Sequence, residues 1–125
     1  MARAPSADAC FCGDHGSPTQ ELAKSAAVFE AHIDKVDPYK SANSPNEQAH
    51  VTVLRAWKGT AARSHLVLDA GRGGGGCLYR FETGANYLIY AYKGDDRRLH
   101  VSYCSRTKQS AKAQDDFDEL GPASK

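Results

Sequence analysis

From Ala27 to Val36 apolar and polar positions alternate, with Phe29, Ala31 and Ile33 on one side and Glu30, His32 and Asp34 on the other. A period of two sends successive side chains to opposite faces, so this segment predicts a half-buried strand. A second strand is expected over residues 49–57, with Val51, Val53, Arg55 and Trp57 on one face and Thr52, Leu54 and Ala56 on the other. Residues 37–48, which include Pro38, Asn43, Pro45 and Asn46, predict a polar loop between the two. Lys58-Gly59-Thr60 turns the chain into a third strand, His65–Asp69, which the glycines of Gly71–Gly76 break. Tyr87–Tyr92 and Leu99–Ser105 predict a fourth and a fifth strand, with a turn at Gly94-Asp95-Asp96.

Two helices flank these strands. Ser17-Pro18-Thr19-Gln20 is a capping box with proline at the first helical position, and it predicts a short helix from Pro18 to about Lys24. Between Ser110 and Leu120, Ala113, Phe117 and Leu120 recur at helical spacing, and Gly121-Pro122 ends the run. Asp115, Asp116, Asp118 and Glu119 read as the solvated face of that helix. Crossover helices between strands are absent from the pattern, which excludes a parallel α/β fold. The prediction is a mainly β domain: a closed five-stranded barrel with one helix before it and one after. Closure removes the exposed edges that a sheet this small must otherwise protect. Its core is expected to carry Phe29, Ile33, Val51, Val53, Leu66, Leu68, Leu88 and Val101.

Composition narrows the function. A chain of 125 residues suits one domain, read as residues 10–121 between a leader remnant at 1–9 and a tail at 122–125. Sixteen Lys and Arg against 15 Asp and Glu leave a net charge of +1. That gives no electrostatic reason to expect nucleic acid or an anionic membrane as a partner, although barrels of this size often bind single strands. The apolar runs fall short of the ~18 residues that cross a bilayer.

The cysteines are more informative. Cys10, Cys12, Cys77 and Cys104 make an even set, which in an exported chain suggests two disulfides. Ala7-Asp8-Ala9 reads as a signal-peptidase site directly before Cys10, and it predicts a secreted or extracytoplasmic protein. Cys10 and Cys12 are too close in extended chain to bond to each other with relaxed geometry, which leaves two of the three pairings. Either pairing ties the N-terminal segment to the end of the third strand and to the fifth, constraining the unfolded chain by about 4 kcal/mol per bond. The Cys-x-Cys spacing and the scattered histidines do not suit structural zinc.

Other candidate chemistry falls away. Gly71-Arg72-Gly73-Gly74-Gly75-Gly76 matches the dinucleotide fingerprint formally, but Cys77-Leu78-Tyr79-Arg80-Phe81 does not open a helix there, so no nucleotide cofactor is expected. His15, His32, His50, His65 and His100 read as isolated surface or satisfied residues. No serine sits in a nucleophile elbow and no carboxylate pair stands out, so the chain is not read as an enzyme.

The order of features resembles the inhibitory domain of the tissue inhibitors of metalloproteinases, within the wider netrin-like group. Cys10-Phe11-Cys12 opens the domain, followed by a short helix, a long strand and Val51-Thr52-Val53-Leu54-Arg55-Ala56-Trp57-Lys58-Gly59. Gly76-Cys77, Gly84-Ala85-Asn86-Tyr87-Leu88-Ile89 and His100-Val101-Ser102-Tyr103-Cys104 then follow in order. The resemblance covers about residues 10–120 and implies an oligonucleotide-binding-type barrel, with Cys10 paired to Cys77 and Cys12 to Cys104.

It also implies a mechanism. The free α-amine and carbonyl oxygen of Cys10 would chelate the catalytic zinc of a target metalloprotease, and Phe11 would enter the adjacent specificity pocket. Cys12 and Gly13 would continue the wedge, beside a ridge of Gly75, Gly76, Cys77 and Leu78. A catalytic zinc keeps an open position, and an α-amine with a pKa near ~8 can fill it. Three features depart from the family: its third disulfide in this domain is missing, Phe11 replaces a small polar residue, and no second domain is expected from these 125 residues. The expected partner is a zinc metalloprotease bound by a monomer. The competing expectation is a netrin-like module that binds a protein or polysaccharide without inhibiting.

Overall fold

The computed structural model describes residues 16–40, 45–72 and 79–123. Helix α1 (Pro18–Lys24) begins where the capping box predicts. The Gln20 amide donates to Ser17 Oγ, and the Ser17 amide donates to Gln20 Oε1. Two amides that the first turn leaves without helical partners are satisfied in this way. At the other end Lys58 Nζ donates to the carbonyls of Leu22 and Ala23, each at 3.0 Å.

Five strands make the barrel: β1 (Ala27–Lys40), β2 (Pro45–Lys58), β3 (His65–Arg72), β4 (Asn86–Lys93) and β5 (Leu99–His100). They pair in the order β1-β2-β3-β5-β4, and β4 pairs back to β1 to close the cylinder. Neighbours are antiparallel except β3 and β5. A further two-residue strand, β6 (Lys108–Gln109), lies on β4 and leads through a single 3-10 turn (Ser110–Lys112) into helix α2 (Gln114–Leu120). The mainly β class, the closed five-stranded barrel and the flanking helices match the sequence expectation.

The strand bounds differ in three places, the first being β3, which runs through Gly71 to Arg72 although the pattern breaks it at that glycine. Residues 37–48 are not wholly a loop, because the β1–β2 ladder runs out to Lys40 opposite Pro45. Ionic contacts support this polar stretch: Asp37 meets Lys35 at 3.3 Å and His50 at 3.1 Å. The β4 ladder, by contrast, leaves β1 at His32. The fifth strand stops at His100, well short of Ser105, because the chain turns as the Cys104 amide donates to Ser102 Oγ and the Ser105 amide to the Ser102 carbonyl.

Bulges correct the expected faces of β2. Leu54 and Trp57 are extra residues opposite β1, and each reverses the alternation. Val51, Val53 and Ala56 therefore point into the barrel, while Arg55 is exposed and Trp57 faces outward to the helices. Phe29, Ile33, Val51, Val53, Leu68 and Val101 are fully buried inside the barrel as expected, and Leu66 is partly buried against them. Leu88 is buried outside the barrel. With Val28, Tyr90 and Ala113 it forms a second core against which Leu22, Trp57, Phe117 and Leu120 pack. β4 is thus covered on both faces: Tyr87, Ile89 and Ala91 face inward, Leu88 and Tyr90 face the helices.

Gly59 makes the turn after β2 possible. Its φ is +80°, and a Cβ there would press on the Ala26 carbonyl oxygen and the Ala27 Cα. Gly59→Ala is expected to lose at least about 1–3 kcal/mol from the left-handed backbone alone. A denaturant midpoint equal to that of the parent would contradict this.

Candidate functional site

The described chain begins at Gly16, and both of its backbone groups are held. The Gly16 amide donates to Glu21 Oε2 at 2.7 Å, and its carbonyl accepts from Arg106 Nη1 at 3.1 Å. Arg106 is itself locked. Its Nε and Nη2 donate to the two oxygens of Asp116 at 2.8 and 2.9 Å, a two-pronged pair. Lys108 Nζ and Tyr90 Oη also donate to Asp116, at 2.9 and 2.7 Å. Asp116 is only 1% exposed, which overturns its reading as part of a solvated helix face. Asp116 lies three residues after Ala113 and one before Phe117, so it falls on the apolar stripe of α2, and that spacing was the available signal.

The electrostatics follow from the burial. Burial alone would raise the Asp116 pKa, but the hydrogen bonds from Arg106, Lys108 and Tyr90 outweigh it and hold the carboxyl well below the usual range. Arg106 is raised, chiefly by its bonds to Asp116. Tyr90 is raised first by burial and then by Asp116.

The turn that carries Cys104 lies next to this network. Ser105 Oγ contacts Thr107 Oγ1, and the Tyr90 amide donates to that same Thr107 Oγ1 at 3.0 Å. Cys104 is not a free thiol. It borders a shallow groove of about 260 Å³ whose lining includes Lys24, Ser25, Tyr92, Ser102 and Ser105. Tyr79 opens the next described stretch of the chain. Its amide donates to the Ala70 carbonyl at 2.7 Å and its hydroxyl to the Thr107 carbonyl at 3.1 Å. Tyr79 joins Phe81 and Tyr87 in an aromatic cluster of tilted and edge-to-face rings.

Cys10, Phe11, Cys12, Gly13, Gly75, Gly76, Cys77 and Leu78 lie outside the described residues, as do the glycine run from Gly73 and His15. The structure describes their neighbours. Gly16 and Tyr79, far apart in the sequence, both bond to the segment Arg106–Thr107 that follows Cys104.

Burial pushes the Tyr79 hydroxyl up to about 12, with a smaller contribution from Tyr87. A raised tyrosine stabilises the fold below the pKa of the unfolded phenol, about 10. Stability is therefore expected to fall as the pH rises from that value towards 12, because the unfolded chain releases a proton that the folded chain keeps. Denaturant melts at roughly pH 9 and pH 11 check this. A Tyr79→Phe variant should show a shallower loss.

Three of the histidines are satisfied in the way the sequence suggests: His32 by Asn86, His50 by Asp37 and His65 by Thr52. His100 differs. It is mostly covered, stacks on Tyr92 with centroids 5.4 Å apart, and stands between the carboxylates of Asp69 and Asp96. Among the described residues this trio could hold a metal ion. No helix among the described residues is long and apolar enough to cross a membrane. Compared with known proteins, the chain matches no family model and no curated sequence.

Proposed function

We propose that this chain is an exported metalloprotease inhibitor of the tissue-inhibitor type, and that its N-terminal Cys10 amine and carbonyl chelate the zinc of a target protease. The observation that carries the reading is the convergence of Gly16 and Tyr79 on the turn after Cys104. Cys12 is four residues before Gly16, a span of at most ~14 Å. Gly16 is bonded to Arg106, two residues from Cys104, so a Cys12–Cys104 disulfide is within reach. Cys77 precedes Tyr79 by two residues and would meet Cys10 on the same side. Phe11 would then project from a doubly tethered segment, and little freedom would remain to be lost on docking. The closed five-stranded barrel is compatible with the oligonucleotide-binding type that this reading implies.

The decisive comparison uses three forms: one that starts at Cys10, one with residues 1–9 attached, and one N-acetylated at Cys10. A peptide or acetamide nitrogen has its lone pair delocalised into a carbonyl and is a poor metal ligand. The form with the free amine is expected to inhibit zinc metalloproteases with a roomy specificity pocket. The other two should be weaker by about a hundredfold or more, the ratio that roughly 2.7 kcal/mol of lost ligation gives. Equal inhibition by all three would refute chelation. Absence of inhibition by any form would favour a netrin-like binding module. Non-reducing peptide mapping that joined Cys10 to Cys104 would refute the pairing.

A further inference from the structure

We propose that Asp69, Asp96 and His100 form a binding site for a divalent transition-metal ion, zinc in the first instance, which staples the narrowest seam of the barrel. One ligand atom from each residue lies within 4.8 Å of the other two. His100 turns Nε2 to Asp96 Oδ1 at 3.0 Å and Nδ1 towards Asp69 Oδ2 at 3.8 Å. Zinc takes imidazole nitrogen and carboxylate oxygen at about 2.0–2.2 Å, and three protein ligands with water in the fourth position is a known arrangement. One ion takes one imidazole nitrogen: Nδ1 faces the buried Asp69, and Asp96, on an exposed turn, would leave Nε2 and swing to that side. The mixed imidazole and carboxylate set selects zinc or cobalt over calcium or magnesium, which prefer oxygen alone.

The surroundings are built for a fixed imidazole. Tyr92 stacks on one face of the ring at an interplanar angle of 20°. Gly94 leaves room for its edge, since a Cβ there would lie 2.5 Å from His100 Nε2. Asp69 is buried on β3 and is oriented by Gln48 Nε2 at 3.2 Å. Arg98 Nη1 touches Asp69 Oδ2 at 3.3 Å and is the cation that a metal would displace. Its side chain is nearly half exposed, so water can receive the displaced guanidinium.

The location gives the metal its role. β5 is only two residues long, and among the described residues it is the strand paired between β3 and β4. Asp69 stands on β3, His100 on β5 and Asp96 in the β4–β5 turn, so one ion would tie together the parts that this short ladder holds. This inference does not depend on the inhibitor reading, and its test contains no protease.

The test uses the full chain in its oxidised form, with a thiol assay confirming that no cysteine is free. Zinc is titrated calorimetrically, and cobalt is followed by its visible absorption. The expected result is one zinc per chain, a visible cobalt band and a higher melting temperature with zinc. Asp96→Asn and His100→Gln should each weaken zinc binding by at least about tenfold and abolish the rise in melting temperature. Asp96 is exposed, so its variant should fold. Failure of the parent to bind zinc, or equal binding by parent and Asp96→Asn, would overturn the proposal.

Discussion

Asp116→Ala is expected to destabilise the protein by about 3–5 kcal/mol, the usual cost of removing one partner from a buried ion pair. Three donors depend on that carboxylate. Arg106, Lys108 and Tyr90 all point at it, and without it two cations and a hydroxyl face one another around a buried vacancy. The loss would spread, because Asp116 is on α2, Tyr90 on β4 and Arg106 holds Gly16. A single carboxylate therefore fastens the C-terminal helix and the entry of the N-terminal segment to the barrel wall. Acid should reproduce the effect. The Asp116 pKa is depressed in the fold, so its contribution is complete above the unfolded value of about 4 and is lost as the pH falls through the lower folded value. Asp116→Asn keeps the shape and removes the charge, and it should flatten the acid limb of the stability profile. A variant that melts with the parent would show that the network contributes nothing net.

Val53→Asp should prevent folding. Val53 is 1% exposed inside the barrel, within the apolar cluster that includes Phe29, Ile33, Val51 and Leu68. An unpaired carboxylate there costs more than the roughly 5–15 kcal/mol by which a domain is stable. The measurement is the soluble yield after oxidative refolding and, for any soluble fraction, a thermal melt. A soluble variant with a cooperative melt would mean that Val53 does not face the interior. Leu54 provides the contrast. It is the bulged neighbour and is 43% exposed, so Leu54→Asp should be tolerated.

These two neighbours show what the sequence could and could not convey. Alternation located β1 and β2, an apolar run located β4, and the capping box located α1 to the residue. A bulge adds one residue without any local signature. The reversal at Leu54 and Trp57 was therefore invisible in the pattern, and it is what places Trp57 on the helices, stacked with Phe117 and donating to the Gly121 carbonyl. The length of the β1–β2 hairpin was hidden for a related reason. Backbone pairing carried polar residues that periodicity assigns to loops. Asp116 was misread because four acidic residues in a row of five suggest solvent, and only its partners on other elements reveal the burial. The Asp69, Asp96 and His100 group was beyond reading altogether, since barrel closure brings together positions with no common spacing.

The far half of β1 has one further consequence. After Ile33, whose amide and carbonyl bond to Ala85 and Gly84, that strand is laddered to β2 alone among the described residues, so one row of its amides and carbonyls has no ladder partner among them. Such rows can template strand addition from another copy of the chain and start aggregation. Here that stretch reads Asp34-Lys35-Val36-Asp37-Pro38. Asp34 is a bulge that disturbs the register, charges of both signs follow, and Pro38 has no N–H to offer. The chain can extend a long ribbon beyond its barrel because that ribbon is a poor template for a second one.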